Sequence, residues 1–90
     1  MNLFEALVQI EKYSEEETIY SAKPWTLNSE TIIMIEPDEG GLEFTVDGRV
    51  YSYFLEIFLV KELLSDLAAE NGLSPEGKVL RIIQYAYNDA

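Results

Sequence analysis

Cysteine and histidine are both absent from this chain of 90 residues. Without cysteine the protein forms no disulfide and no thiolate metal site, and it has no thiolate nucleophile. Without histidine it lacks the commonest general base and the commonest ligand of transition metals. The two absences exclude most hydrolase templates and secretion as a disulfide scaffold, and they favour a reducing cytoplasm.

Basic residues are scarce, since six Lys and Arg accompany seventeen Asp and Glu, for a formal net charge of −11. The imbalance is concentrated in residues 1–47, which hold eleven acidic residues and two lysines, whereas residues 48–90 hold six acidic and four basic residues. Such a negative field repels nucleic acid and anionic membranes and speeds encounter with cationic partners. The composition therefore excludes direct nucleic-acid binding and favours a basic protein partner.

Long hydrophobic runs are missing as well. The most apolar segment, residues 54–64, is interrupted by Glu56, Lys61 and Glu62, whereas a membrane span needs about 20 nearly uncharged residues. The first residues show neither the basic patch nor the apolar stretch of a signal peptide. We therefore expect a cytoplasmic protein that does not bind membranes.

The chain is long enough for one hydrophobic core and too short for two, so we expect a single acidic α+β domain over residues 1–90. A first helix is predicted from Leu3 to about Tyr13. Asn2 followed by Glu5 is a variant of the capping box, and the apolar residues that follow recur at helical spacing.

Three segments rich in β-branched and aromatic residues predict an antiparallel sheet. Residues 18–22 read as an edge strand, because the proline that follows cannot donate to a sheet. Residues 31–35 are apolar on both faces, which predicts the central strand. Residues 42–46 alternate apolar with polar, and the short connection 36–41 predicts that they pair antiparallel with the central strand.

Asp47-Gly48 is a strong signal for a type I′ turn. After it, two continuations are open: a brief fourth strand through residues 49–51, or direct entry into a helix over roughly residues 52–70. A last helix begins with Ser74 as cap and Pro75 in the first turn. The expected architecture is an N-terminal helix, a three-stranded antiparallel sheet and two C-terminal helices packed on one sheet face.

The helix expected over residues 52–70 carries apolar side chains on two sides. At about 100° per residue, Leu55, Leu59 and Leu63 lie opposite its main apolar face. If the rest of the chain leaves them uncovered, these leucines are a candidate contact for a homodimer.

The chemistry still open to the chain is that of carboxylates, as an acid/base pair or as ligands of Mg²⁺ or Ca²⁺. Glu36, Asp38 and Glu39 cluster in a glycine-containing turn, but they lack the alternating spacing and the closing bidentate Glu of a calcium loop. A solvated turn is the preferred interpretation, and no glycine-rich phosphate-binding motif occurs. We expect no catalytic residue, no metal and no cofactor.

Acidic residues at the loops and on the polar face of the predicted sheet, together with the single tryptophan, form the candidate partner-binding surface. Its residues are Glu15, Glu16, Glu17, Trp25, Glu36, Asp38, Glu39, Glu43 and Asp47. Solubilisation is the alternative explanation for any one of the acids. Trp25 lies in a loop, where interface anchors are common, although a loop tryptophan also closes cores.

The segments Tyr53–Glu62, Leu73–Glu76 and Tyr85–Asp89 resemble a family of small, acidic bacterial domains of uncharacterised function. The resemblance implies a bacterial cytoplasmic protein and supplies no catalytic residues. In size and charge the chain is also similar to immunity proteins that neutralise basic toxins. The leading hypothesis is a non-enzymatic interaction module of the immunity or inhibitor type, acting on a basic partner such as a nuclease toxin. The alternative is a structural homo-oligomer or accessory subunit.

Overall fold

The computed structural model describes residues 1–37, 41–70 and 72–89, and it confirms the α+β class. The elements are α1 (Leu3–Val8), a 3₁₀ turn (Ile10–Lys12), β1 (Glu17–Ser21), β2 (Thr31–Ile35), β3 (Glu43–Val46), β4 (Arg49–Glu56), α2 (Ile57–Leu67) and α3 (Pro75–Asp89). The four strands form one antiparallel sheet in the order β2-β1-β4-β3.

The predicted local signals at the helix starts are confirmed. The Asn2 side chain accepts a hydrogen bond from the Glu5 amide at 2.8 Å, and the Glu5 carboxylate accepts one from the Asn2 amide at 2.9 Å. The Ser74 hydroxyl likewise accepts from the Gly77 amide at 3.0 Å, one turn into α3. These caps act within four residues of chain, which is why they are readable from sequence.

The type I′ turn at Asp47-Gly48 is also confirmed, with φ of +52° and +79° at the two residues. Its consequence is a fourth strand, so the prediction of a three-stranded sheet was wrong. β4 runs to Glu56, and α2 begins only at Ile57, not at residue 52. Residues 52–56 are rich in aromatic and aliphatic side chains that suit a strand or a helix, and pairing with β1 and β3 decides for the strand.

The predicted strand order was wrong as well. β1, expected at the edge, lies between β2 and β4, and β2, expected at the centre, is an edge strand. β2 and β3 lie at opposite edges and do not pair. Both faces of this edge strand are covered in part: Ile33 packs against the core, and Ile32 and Met34 on the other face are half-buried. Ile35, at the end of the strand, is left 66% exposed.

A bulge in β4 directs two consecutive side chains of this strand into the core. Ile19 pairs with Leu55 and Tyr20 pairs with Tyr53, so Phe54 is the extra residue. Phe54 and Leu55 are both buried in the hydrophobic core although they are consecutive in the chain. α2 packs on β1 and β4, and α3 packs against α1 and α2.

Tyr20 belongs to an aromatic cluster on the sheet face opposite Ile19. Its ring centroid lies 4.8 Å from that of Phe44 and 6.3 Å from that of Tyr53, both edge to face. Tyr20 is completely covered, and its hydroxyl has no hydrogen-bond partner within the described residues. Burial, reinforced by the negative charge of Glu36, raises the pKa of Tyr20 above its ordinary value.

Replacing Tyr20 with Phe is expected to raise the free energy of unfolding by about 1 kcal/mol at pH 7. Folding removes the Tyr20 hydroxyl from water, and no hydrogen bond within the described residues compensates for that loss. The pKa of Tyr20 is higher in the folded than in the unfolded protein, so the unfolded chain loses this proton first as the pH rises. The contribution of the protonated hydroxyl to the free energy of unfolding is therefore complete below pH 10.0, the ordinary pKa, and is lost as the pH rises through the folded-state pKa. The gain from Tyr20→Phe should therefore be larger above pH 10.0 than at neutral pH, in urea unfolding.

Tyr85→Phe is the matched control, because the Tyr85 side chain is exposed. It should leave stability unchanged at neutral pH. A Tyr20→Phe variant that is less stable than the unmodified protein at pH 7 would mean that the hydroxyl makes a stabilising contact.

Candidate partner-binding surface

The predicted partner-binding residues separate into two groups at opposite ends of the sheet. Asp38 and Glu39 lie outside the described residues. At one end, here called the acidic end, lie Glu15, Glu16, Glu17, Glu36 and, in addition, Glu56. Trp25, Glu43 and Asp47 lie towards the other end, where β3 and β4 are joined.

The antiparallel register places the residues of the acidic end next to one another. Glu17 at the start of β1 pairs with Ile35 at the end of β2, so Glu36 follows directly. Thr18 pairs with Glu56, the last residue of β4. Since neighbouring strands are about 4.8 Å apart, three segments distant in sequence place carboxylate-bearing residues across a backbone span of about 10 Å.

The turn before β1 is held by its own side chains. The Glu17 carboxylate accepts a hydrogen bond from the Ser14 amide at 2.9 Å, and the Ser14 hydroxyl accepts one from the Glu16 amide at 3.2 Å. The Glu17 amide also donates to the Ser14 carbonyl at 3.0 Å. The backbone under Glu15 and Glu16 is therefore fixed, while both of these side chains stay exposed.

Little positive charge opposes the acidic end. The ion pairs of the described residues join the N-terminal amine to Glu30 and Arg81 to Glu70, away from this end. The Lys61 ammonium donates to the Tyr13 carbonyl at 3.1 Å, and the Lys12 ammonium donates to the Gln9 side-chain oxygen at 3.1 Å. Glu56 accepts a hydrogen bond from the neutral Tyr53 hydroxyl at 3.3 Å. The acidic end keeps its negative charge turned to solvent.

The carboxylates do not converge on a single point. Among the described residues, no three Asp or Glu side chains are grouped so that they could hold a metal ion. A row of separated charges suits a second macromolecular surface better than one small cation.

Trp25 has a structural role, as one of its two interpretations predicted. It is 6% exposed, and its ring contacts those of Phe54 and Tyr87, with centroids 5.0 and 4.8 Å away. Its indole N–H donates to the Ser21 carbonyl at 3.1 Å, and its amide donates to the Tyr87 hydroxyl at 2.6 Å. The rest of its surface lines a cleft.

Glu43 and Asp47 are also separated from the acidic end. The Glu43 carboxylate accepts a hydrogen bond from the Ser52 hydroxyl at 3.2 Å and lines the same cleft as Trp25. Asp47 occupies the first positive-φ position of the type I′ turn, so its presence there is explained by backbone conformation.

The candidate homodimer face is not one surface. Leu55 belongs to β4 and is buried at 1% exposure, because the strand continues to Glu56. Leu59 and Leu63 are on α2, where both pack partly against the core. A helical wheel that includes Leu55 therefore combined residues from two elements.

Glu56 is the residue of the acidic end that sequence reasoning missed, because it was placed within a helix. The type I′ turn at Asp47-Gly48 predicts pairing of β4 with β3 only as far as Ser52, opposite Glu43, so it gives no signal for Glu56.

Comparison of the chain with protein-family models, with curated proteins and with solved structures gives no match. The resemblance of the C-terminal segments to small acidic bacterial domains stays a prediction from the sequence. In the described parts of the chain, no helix is both long and apolar enough to cross a bilayer.

Replacing Glu16 and Glu36 together with Gln is expected to raise the melting temperature by about 2–4 °C at low salt, because like charges next to the paired ends of β1 and β2 repel. The gain should disappear near 1 M salt, where the Debye length falls to about 3 Å. Glu16→Asp with Glu36→Asp keeps the charge and is the control. A gain that persists at high salt would show that repulsion is not its cause.

Proposed function

We propose that this protein is a non-enzymatic interaction module whose acidic end binds a basic protein partner. The observation that carries the proposal is the register of β1 with β2 and β4, which gathers Glu17, Glu36 and Glu56 at one end of the sheet. Acids brought together from separate segments form a directed field, whereas acids spread evenly would only solubilise.

The preorganisation of the acidic end supports the same proposal. The hydrogen bonds around Ser14 fix the turn that carries Glu15 and Glu16, so binding would not have to order this backbone. The side chains are exposed and make no ion pair with Lys or Arg of the described residues. A cationic partner would therefore not have to displace an internal cation.

The partner class that fits best is a basic enzyme whose substrate is anionic, such as a nuclease toxin. Such an enzyme concentrates Lys and Arg where it binds phosphate. Residues on neighbouring strands, whose backbones are about 5 Å apart, present a row of negative charge to that cationic site. The protein would act as an immunity-type inhibitor by covering the site, without chemistry of its own.

The test uses two variants of equal net charge. The site variant carries Glu15→Gln, Glu16→Gln and Glu36→Gln; the control variant carries Glu62→Gln, Asp66→Asn and Glu76→Gln on the helices. A basic protein captured from extract of the source cells is purified, and its association rate with each variant is measured by stopped flow or surface plasmon resonance. We expect the site variant to lose about tenfold in association rate at low salt and the control variant about twofold or less.

The salt dependence provides a second measurement. The association rate of the unmodified protein should fall steeply between low and physiological salt, and that of the site variant should fall less. Equal losses in both variants would mean that net charge alone matters, and they would overturn the proposal. If the partner is an enzyme, its activity should fall in proportion to added protein up to a one-to-one ratio.

A further inference from the structure

Among the described residues, no strand pairs with the outer edge of β3, so some of its backbone groups have no partner in the sheet. Pairing alternates along an antiparallel ladder, and the Tyr53 amide donates to the Leu42 carbonyl at 2.7 Å, so the facing pair Glu43 and Ser52 is of the non-hydrogen-bonded kind. The same alternation applies to Thr45 and its partner Val50. The N–H and C=O groups of Glu43 and Thr45 therefore point away from β4, along the open edge.

The opposite edge of the sheet is partly closed by the N-terminal segment. The Thr31 amide donates to the Met1 carbonyl at 3.0 Å, and Asn2 forms an antiparallel bridge with Glu30. The Leu3 amide donates to the Ser29 carbonyl at 2.9 Å in the same region. These contacts cover the start of β2 and the residues just before it.

A cleft of about 670 Å³ lies beside β3. It is bordered by the start of β3, by β4, by the loop after β1 and by α3. Its lining includes Lys23, Trp25, Leu42, Glu43, Phe54 and Ala86.

The chemistry of the cleft is apolar at its base and charged at its rim. Trp25, Phe54 and Ala86 are buried core residues, whereas Leu42 is 71% exposed. The Lys23 ammonium lies 5.1 Å from the centroid of the Trp25 ring, within cation–π range, and places one positive charge at the rim. The Glu43 carboxylate is exposed and accepts only the neutral Ser52 hydroxyl among the described residues.

We infer that β3 and this cleft bind an extended peptide segment of a partner protein, which adds to the sheet as a fifth strand. Its main chain would pair with Glu43 and Thr45, and one apolar side chain would enter the cleft beside Trp25 and Leu42. A basic residue two positions away would share that face of the peptide and approach Glu43. The inference concerns a surface separate from the acidic end and does not depend on the proposed function.

Charge favours a basic peptide over a second copy of this chain as the occupant of the β3 edge. Pairing β3 with β3 of another molecule would bring Glu43 and Asp47 of two chains with net charge −11 close together, against one positive charge per hairpin from Arg49. Repulsion opposes such a pair, and a basic strand is attracted. The position of unpaired backbone groups next to the cleft favours a peptide over a small molecule, which would leave those groups unused.

The test uses the blocked peptide acetyl-Lys-Thr-Leu-Thr-Lys-amide, which places one leucine between two lysines on the same face of a strand. It is titrated into the ¹⁵N-labelled protein, and the Glu43 and Thr45 amides and the Trp25 indole are followed by NMR. Trp25 is the only tryptophan, so its fluorescence reports the cleft independently. We expect all three NMR signals to shift together with the fluorescence change.

Thr45→Pro is the decisive variant, since the Thr45 amide points outward and proline is tolerated on an edge strand in that orientation. It should keep the fold, checked by circular dichroism and thermal melting, and lower the affinity for the peptide by about tenfold through lost main-chain hydrogen bonds. Thr45→Ala, the matched control, should bind as the unmodified protein does. The peptide acetyl-Lys-Pro-Leu-Pro-Lys-amide should bind weakly to all three proteins.

Several outcomes would overturn the inference. These are equal affinity of Thr45→Pro and Thr45→Ala, shifts confined to the acidic end or to β2, and a Trp25 change without shifts at Glu43 and Thr45. Concentration-dependent shifts at β3 without peptide, with a dimer in sedimentation, would assign the edge to a second copy instead. The variant with Glu15, Glu16 and Glu36 changed to Gln should bind the peptide within about twofold of the unmodified protein, which separates this test from that of the proposed function.

Discussion

The structure depends on the pairing of β1 with β4, two strands about thirty residues apart in the chain. This pairing makes β1 central and leaves β2 and β3 at the two edges. The bulge at Phe54 sits in the same ladder and turns two consecutive side chains into the core under the helices. Without the β1–β4 ladder neither the core nor the acidic end would exist in its present form.

In this small domain, hydrophobic burial in the interior favours folding, whereas repulsion between the acidic residues at the surface opposes it. The core joins the three helices to β1 and β4, while the contacts of Tyr20 with Phe44 and Tyr53 cover part of the other face of the sheet. Hydrophobic burial on both faces stabilises a molecule whose net charge of −11 opposes compaction. The like charges at the acidic end add to that opposition, which is understandable if they serve a partner.

Sequence reasoning was accurate for three features that a few neighbouring residues decide. The capping box at Asn2, the turn at Asp47-Gly48 and the cap at Ser74 were all readable, because each uses hydrogen bonds or φ angles within one turn of chain. It failed for residues 52–56 and for the order of the strands. An apolar, aromatic segment suits a helix or a strand, and only a partner strand elsewhere in the chain decides between them.

The sequence by itself determined the class of the domain, its excess of negative charge and the absence of histidine and cysteine chemistry, since these follow from residue types and short-range patterns. The tertiary structure alone decided that Glu56 joins Glu17 and Glu36 at one end of the sheet, and that Trp25 and Glu43 line a cleft beside the open β3 edge. Both outcomes depend on strand register, a property of distant residues brought together in the folded chain, and no local pattern specifies it.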